Sequence, residues 1–248
     1  MDIQTIELIS MRAWPALEEV DYDGWRLRSA KGYTGRANSV YPFSAGMVVL
    51  DEKIDHCERF YAERGLKTRF KLTAAAQPAE LDHALEARGY TIITPTNVLT
   101  LDLMQLAEVP TPSNIRLSLE ATFSEAWLDA YVRLSGVNPA FHSIARQLLQ
   151  RATAHTIFGA AYDGDQIIAV TLGVRDGEWI GLYDVVTQAE RRGQGIGGAL
   201  ITQVLRQGQV SGATRGYLQV LGTNAPAFRL YTRLGYQMLY TYWYRLQG

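Results

Sequence analysis

The glycine-rich stretch Arg191-Arg-Gly-Gln-Gly-Ile-Gly-Gly198 separates an apolar run that ends at Val186 from a run with the 3.6-residue periodicity of a helix. Glycine carries no Cβ, so the backbone of such a stretch can approach an anion closely. A helix that starts here also directs its first amides, with about half a positive charge, out of its N-terminus. The stretch therefore predicts a phosphate-binding loop between a strand and a helix. The structural alternative is a flexible turn followed by a helix.

Two other glycine-rich phosphate motifs do not fit this context. The spacing G-x-G-x-x-G, which runs here from Gly193 to Gly198, is typical of dinucleotide-binding folds. In those folds the motif follows its strand directly and is followed, about 20 positions later, by an acidic residue that holds a ribose. Here residues 188–192 intervene, and no acidic residue follows Glu190. A Walker loop requires a lysine, and residues 111–248 contain none.

The second half of the chain alternates strand-like and helix-like runs around this loop. Turn dipeptides at Asp163-Gly164 and Asp176-Gly177 join three apolar runs into an antiparallel meander. The pattern predicts strands at 115–119, 156–162, 166–175, 178–186, 216–220 and 236–246, and helices at 123–134, 144–151, from the glycines to about 209, and 225–234. The predicted order is β-α-α-β-β-β-α-β-α-β.

Two motifs of this half resemble the GNAT acetyltransferase superfamily. The spacing R-x-x-G-x-G of Arg192, Gly195 and Gly197 is similar to that family's acyl-CoA pyrophosphate loop. Asn224-Ala-Pro-Ala-Phe-Arg-Leu-Tyr-Thr-Arg-Leu-Gly-Tyr236 resembles its second characteristic motif. The resemblance covers roughly residues 113–248. It implies an α/β (α+β) fold with a mixed, mainly antiparallel sheet flanked by helices.

The resemblance implies acetyl-CoA as co-substrate, bound without a metal. The residues that it assigns to the coenzyme are Val185, Val186, Arg192, Gln194, Gly195, Ile196, Gly197, Gly198 and Asn224. The amides of the loop and Arg192 would hold the diphosphate, and the two valines would pair their backbones with the pantetheine arm as an added strand. Ala189 stands where many members of the family have proline, a difference expected to affect the stiffness of the loop more than binding.

Acetyl transfer from a thioester to an amine needs an acid and an oxyanion donor. The resemblance implies that Tyr231 protonates the departing thiolate, and a neutral phenol carries a proton suited to that step. A backbone N–H near Val185 would stabilise the negative charge on the carbonyl oxygen. Periodicity alone favours a core role for Tyr231, because it shares a helical face with Ala227, Leu230 and Leu234.

A general base is also useful, because an amine with a pKa near 10 is only about 0.1% neutral at pH 7. We expect Asp184, on the strand before the loop, to be this base, with Glu178 as the second candidate. His142 and His155 are further alternatives. Either carboxylate also fits an exposed strand position, and either histidine fits a structural or surface role.

The first half of the chain repeats part of the sequence pattern of the second half. The pattern of Pro-Ala, a helix and Gly-Tyr occurs at residues 78–90 and again at 226–236, which predicts a duplication. The counterpart of the glycine-rich loop, residues 45–50, holds a single glycine, so only the second copy keeps a phosphate cradle. The elements predicted in the first half are helices 53–65 and 78–88 and strands 68–72 and 91–103.

Pro110 and Pro112 mark the predicted domain boundary, because proline interrupts both helices and central strands. We therefore predict a degenerate GNAT-like or accessory domain at 1–110 and an acetyltransferase domain at 111–248. The aromatic face of the last strand, Tyr240, Tyr242 and Tyr244, is either ordinary core or part of an acceptor pocket. In the second case, residues 24–26 and 35–39 would contribute to it.

Composition and charge exclude several classes of protein. The 248 residues are 47% hydrophobic and 20% charged, which is typical of a globular chain of one or two domains. A run of about 18 apolar residues and a signal-like N-terminus are both lacking, so we expect a cytoplasmic protein without a membrane partner. The single cysteine, Cys57, permits no internal disulfide, and the histidine and cysteine spacing fits no metal site.

We expect an acetyl-CoA-dependent N-acetyltransferase that acts on a primary amine of a small molecule or peptide. The sequence identifies neither the acceptor, the acyl-chain length nor the oligomeric state. The alternative from another class is a non-catalytic acyl-CoA-binding regulatory module. Nucleic-acid binding ranks last: the net charge is −1, and the seven arginines of residues 191–248, a segment without Asp or Glu, form no tight cluster with aromatic residues.

Overall fold

The computed structural model of the chain describes residues 2–152 and 155–248 and has a mixed α/β fold, as expected. The helices are α1 (Ile3–Ala13), α2 (Leu50–Ala62), α3 (Leu81–Ala87), α4 (Glu125–Ser135), α5 (His142–Arg151), α6 (Ile196–Val210) and α7 (Ala225–Arg233). The strands are β1 (Glu18–Tyr22), β2 (Trp25–Ser29), β3 (Val40–Pro42), β4 (Arg69–Leu72), β5 (Thr91–Asp102), β6 (Arg116–Glu120), β7 (His155–Asp163), β8 (Gln166–Asp176), β9 (Trp179–Thr187), β10 (Arg215–Leu221) and β11 (Gln237–Leu246). Within the described ranges, no helix combines the length and apolarity needed to cross a bilayer.

Contacts divide the chain into two compact units. Unit 1 comprises Met1–Asn97, Gln147–Arg151 and Tyr240–Gly248, and unit 2 comprises Val98–Arg146 and Ala152–Leu239. Each unit includes strand residues from both halves of the sequence, since the last part of β11 belongs to unit 1 and the last part of β5 to unit 2. The functional division at residue 110 stays a prediction.

Unit 1 has the strand order β1-β2-β3-β4-β11-β5. Neighbours β1–β2, β2–β3 and β4–β11 are antiparallel, whereas β3–β4 is parallel. Its apolar core centres on Phe70, which meets Trp25 and Tyr90 edge to face with ring centroids 5.6 and 5.8 Å away. Such offset aromatic pairs add to the stability gained by burial of their area.

A buried ionic cluster also belongs to unit 1. Lys71 Nζ lies 2.5 Å from Glu7 Oε2, and the Tyr240 hydroxyl donates to Glu7 Oε1 at 2.6 Å. The same ammonium lies 3.8 Å from the centre of the Tyr242 ring. Tyr240, Tyr242 and Tyr244 are all buried, which supports the core interpretation of these residues. A contribution of this strand to an acceptor pocket stays a prediction.

Unit 2 has the strand order β5-β10-β9-β8-β7-β6. The strands β6 to β9 pair antiparallel, and β9–β10 is parallel. Helix α6 packs tightly on this sheet: ideal Cβ atoms at Gly173 and Gly208 would lie 2.5 Å from side-chain atoms of Val204 and Ile180. The order of elements from β6 to β11 confirms the order predicted from the sequence.

The two halves of the chain repeat one order of elements. Strands and helices follow as β1-β2-β3-α2-β4-α3-β5 in the first half and as β7-β8-β9-α6-β10-α7-β11 in the second. In both, the third and fourth strands are parallel neighbours. The predicted duplication therefore extends well beyond the Pro-Ala and Gly-Tyr positions.

Sequence patterns did not predict α1 or β1 to β3. Helix α1 buries the charged Glu7 among its apolar residues, and β3 has only three residues, so neither shows a long regular period. Helix α2 lies three residues earlier than expected, because its first turn holds the favourable Asp51 and Glu52 and the chain turns at Gly65. Helix α3 is shorter at both ends than the predicted 78–88.

The buried cluster yields a stability prediction. Glu7→Gln leaves the Lys71 ammonium buried without its counter-charge, so the free energy of unfolding should fall by about 3–5 kcal/mol. Tyr240→Phe removes only one hydrogen bond to Glu7 and should cost about 1–2 kcal/mol. Urea unfolding of both variants measures the difference, and a Glu7→Gln loss no larger than that of Tyr240→Phe would contradict the role given to this ion pair.

Candidate functional site

The first turn of α6 carries backbone donors that the helix itself does not use. Gly195 is the N-cap, and no side chain caps this end of the helix. The first amide bonded within the helix is that of Ala199, which donates to the Gly195 carbonyl at 2.9 Å. The amides of Ile196, Gly197 and Gly198 precede it, in the positions that an α-helix leaves without internal partners. The geometry is that of an anion nest.

The glycines of the loop serve two different purposes. Gly193 and Gly195 have φ values of +77° and +80°, and an added Cβ would meet nothing within 4 Å at either. They are needed for backbone conformation and leave the approach to the amides open. Gly197 and Gly198 are needed for packing instead: a Cβ would lie 3.1 Å from Thr187 Oγ1 at the first and 3.3 Å from Val109 at the second.

The polar side chains of the loop are anchored differently from one another. Arg192 is exposed and its Nε donates to the Thr187 carbonyl at 3.2 Å, which places the guanidinium beside the end of β9. Gln194 is exposed as well. Arg191, in contrast, is engaged 2.6 Å from the Asp163 carboxylate. Arg192 rather than Arg191 is therefore the cation placed to face an anion at the nest.

The strands that flank the loop part from each other. The parallel pairing of β9 and β10 runs from Trp179–Arg215 to Leu182–Leu218. Both strands lie wholly within the described residues, and they continue to Thr187 and beyond Leu218 without further pairing to one another. Val185 and Val186 lie in the part of β9 that does not pair with β10, and both are half-buried. Their backbone groups can therefore receive an extended ligand as an added strand.

A β-bulge distorts β9 at the same place. Val170 pairs with Val186 and Leu172 with Tyr183, so between them β9 contributes two residues where β8 contributes only Thr171. Asp184, one of those two, has a φ of +51°, a conformation that few non-glycine residues adopt. A bulge takes one residue out of the regular ladder and redirects its neighbours. Asp184 and Val185 thus lie together at the mouth of the opening.

Helix α7 brings Tyr231 to the same unit. Asn224 caps the helix, its Oδ1 accepting from the Ala227 amide at 3.2 Å, as the sequence predicts. Leu230 packs against the first turn of α6, since its Cδ1 lies 3.4 Å from an ideal Cβ on Gly198. Tyr231, the next residue, is 6% exposed, and burial raises its pKa to about 12. Its phenol is therefore protonated at neutral pH and able to donate.

The alternative bases lie elsewhere in unit 2. Glu178 precedes β9, at the end opposite the bulge, about 20 Å along the strand from Asp184. Its carboxylate lies 3.9 Å from Arg215. His142 starts α5, where its Nε2 lies 2.9 Å from Asp129 Oδ1, and His155 is exposed at the start of β7. Of the four candidate bases, Asp184 is the one that lies at the bulge, beside the opening between β9 and β10.

Similarity to known proteins shows the family to which the chain belongs. Residues 1–245 match a family model described as "Probable histone acetyltransferase Rv0428c C-terminal". The chain is also 31% identical over 249 residues to the "Uncharacterized N-acetyltransferase YobR" of Bacillus subtilis (strain 168), with 99% of each chain covered. The chain is a GNAT-family N-acetyltransferase.

Solved structures share the fold at lower identity. A GCN5-related N-acetyltransferase from Kribbella flavida is similar with a TM-score of 0.75 and 17% identity, covering 100% of this chain and 96% of that one. A "Tandem GNAT protein from the clavulanic acid biosynthesis pathway" has a TM-score of 0.64 and 15% identity, covering 80% of this chain and 70% of that one. A tandem GNAT fits the repeated order of elements described above.

The first half of the chain closes its own nest. Between β3 and α2, the amides of Met47 and Val48 both donate to the Asp23 carboxylate, at 2.9 to 3.0 Å. An added Cβ on Gly46 would lie 2.1 Å from Asp23 Oδ2. The buried Lys53 ammonium lies 3.1 Å from the same oxygen. An internal anion therefore binds the two amides just before Val49, the N-cap of α2, whereas the first-turn amides of α6 stay available.

The bulge at Asp184, the residues that support it and the closed nest at Asp23 were not predicted from the sequence. One signal could have indicated the first: Thr171 is a polar residue in the middle of the apolar run of β8. Among residues 2–152 and 155–248, no group of three or more His, Cys, Asp or Glu is arranged to hold a metal ion.

The closed nest predicts a pH-dependent loss of stability. Amides of Met47 and Val48 lower the pKa of Asp23, so its contribution to stability is present above the ordinary aspartate pKa and is lost as the pH falls through the lowered value. Asp23→Asn should lower the melting temperature at pH 7, and the difference from wild type should shrink below about pH 4.

The matched control is Asp163→Asn, which removes a half-exposed ion pair with Arg191 and should change the melting temperature little. Calorimetric melting from pH 3 to pH 8 compares the variants. An Asp23→Asn effect that equals that of Asp163→Asn, or that persists unchanged at pH 3, would refute the assigned role of the carboxylate.

Proposed function

We propose that the chain transfers an acetyl group from acetyl-CoA directly to a primary amine of a small molecule or peptide. The observation that carries the proposal is the set of uncapped amides of Ile196, Gly197 and Gly198, which open between two strands that part. Family membership establishes the acetyltransferase activity, and these residues supply a place for the coenzyme. We further propose a cytoplasmic location, which suits the single, buried and free Cys57.

The residues present fit acetyl-CoA in both charge and shape. The amides at the start of α6 and the Arg192 guanidinium suit a diphosphate, because both are hydrogen-bond donors and no acidic residue follows Glu190 in the sequence. The part of β9 that does not pair with β10, which holds Val185 and Val186, suits the two amides of the pantetheine arm. Asn224 uses Oδ1 for its cap, which leaves its Nδ2 as the donor for a ligand. When bound, the coenzyme supplies the acyl group as an activated thioester.

Three groups of the chain then act as base, oxyanion donor and acid in the proposed reaction. In this proposal Asp184, at the bulge, accepts the proton of the incoming ammonium, directly or through a water. The Val185 N–H donates to the carbonyl oxygen as negative charge develops there. Tyr231 holds its proton at neutral pH, since burial raises its pKa to about 12, and can give it to the departing sulfur.

The direct test is thiol release from acetyl-CoA with a panel of amines. The panel should hold small amines and lysine peptides, among them histone-type peptides, because the matching family model is described by a histone acetyltransferase. Acetylated product, identified by mass spectrometry, supports the proposal. Tight CoA binding without product from any acceptor would favour the regulatory module instead.

The nest predicts the effect of a charge at Gly195. Gly195→Asp adds a carboxylate beside the three amides, in open space where nothing clashes, and should weaken CoA binding by about 100-fold or more. Gly195→Asn is the matched control, because asparagine has the same shape without the charge and tolerates positive φ. Isothermal titration calorimetry gives both affinities. Equal losses in the two variants would show that backbone conformation, not anion binding, determines the effect.

Tyr231 allows a test of the acid. Tyr231→Phe should lower turnover by about 10²- to 10⁴-fold while leaving CoA affinity within about twofold, because the hydroxyl acts only when the thiolate leaves. Tyr236→Phe is the control: its hydroxyl is equally buried, lacks a partner among the described residues, and belongs to a ring 6.0 Å from that of Tyr231. Wild-type turnover in Tyr231→Phe, or an equal loss in Tyr236→Phe, would reject the assignment.

A further inference from the structure

A side chain of β8 forms a hydrogen bond to the backbone of β9 beside the bulge. Because β9 has two residues where β8 has one, backbone groups beside the bulge lose their regular partners on β8. The carbonyl of Tyr183, the residue just before the bulge, accepts a hydrogen bond from the Thr171 Oγ1 at 3.2 Å. A side chain on β8 thus links the two strands where the regular ladder is interrupted.

Thr171 is an unusual residue for its position. It is fully buried between Val170 and Leu172, in a strand that is otherwise apolar on both sides of it. A buried hydroxyl is unfavourable unless it forms a hydrogen bond, and Thr171 forms this one to the carbonyl beside the bulge. The hydroxyl therefore has a specific purpose at that carbonyl.

The ring of Tyr183 is held from the other side. Its hydroxyl lies 2.7 Å from the hydroxyl of Tyr217 on β10, and the two rings meet edge to face at 87°. Tyr217 packs over Gly181, where an added Cβ would lie 2.5 Å from the Tyr217 ring. Gly181 and Tyr217 are a paired position one residue before the pairing of β9 and β10 ends. The hydroxyl pair therefore joins the two strands where they part.

We propose that Thr171 and Tyr217 are positioning residues for acetyl transfer. Together they fix the backbone and the ring of Tyr183. The next residues, Asp184 and Val185, are thereby held in the bulge, with the Val185 N–H presented to the carbonyl oxygen of the acyl group. The φ of +51° at Asp184 is unfavourable for a non-glycine residue and persists only when its surroundings determine it. The expected effect on acetyl transfer rests on the proposed function. The support that Thr171 and Tyr217 give to the bulge does not depend on that function.

The test removes the Thr171 hydroxyl without changing the size of the side chain. Thr171→Val should lower kcat for acetyl transfer about 10- to 100-fold, less than the loss known for removal of an oxyanion donor itself. The KM for acetyl-CoA and the Kd for CoA should stay within about twofold of wild type. Thr171→Ser, which keeps the hydroxyl, should recover most of kcat.

A second readout follows the backbone without any coenzyme. In ¹⁵N-labelled protein, the Val185 amide should shift and exchange faster with solvent in Thr171→Val than in wild type or Thr171→Ser. Tyr217→Phe removes one hydroxyl group and keeps the ring. It should lower kcat and change the shift and exchange rate of the Val185 amide in the same direction as Thr171→Val. It provides the test should Thr171→Val fail to fold.

Three results would overturn the proposal: an unchanged Val185 amide in Thr171→Val and Tyr217→Phe, a wild-type kcat in both, or a Thr171→Ser as impaired as Thr171→Val. The last would show that the methyl packing of Thr171 is what counts. Failure of the proposed function is distinguishable, because the wild type would then release no thiol while the Val185 amide still reported on the bulge.

Discussion

The proposed coenzyme site depends on backbone amides at the start of a helix that the protein leaves without an internal acceptor. At α6 the cap is Gly195, which has no side chain to offer, and the amides of residues 196–198 stay available. Helix ends normally satisfy these donors with a side chain, water or a ligand. In the first half, the Asp23 carboxylate accepts from Met47 and Val48, the two residues just before the N-cap of α2. The same order of elements thus gives one open nest and one closed nest.

A nest alone would bind many anions, and the strands beside it supply the rest of the site. The pairing of β9 with β10 ends at Leu182, and the bulge at Asp184 follows two residues later. An opening for an extended ligand and an unusual backbone conformation therefore lie next to each other. Helix α7, which carries Tyr231, packs on the first turn of α6 through Leu230, and we propose that this region supplies the groups that acyl transfer needs.

The sequence predicted the second half well, because its elements are long, regularly patterned and separated by clear turns such as Asp163-Gly164. It predicted the nest because four glycines at 193–198, just before a helix, let the backbone amides approach an anion closely. It missed β3, which is too short to show a period, and the contact of Asp23 with Met47, which joins residues far apart in sequence. The bulge depends on the register in which two strands pair, and that register cannot be predicted from the sequence of either strand alone.

The most direct measurement follows backbone amides by NMR as CoA is added to ¹⁵N-labelled protein. The resonances of Gly195, Ile196, Gly197 and Gly198 should move in proportion to occupancy, because these amides are the ones left to receive the diphosphate. The amides of the closed nest, at 47 and 48, should stay unchanged. Shifts at 47 and 48 with none at 195–198 would contradict the account.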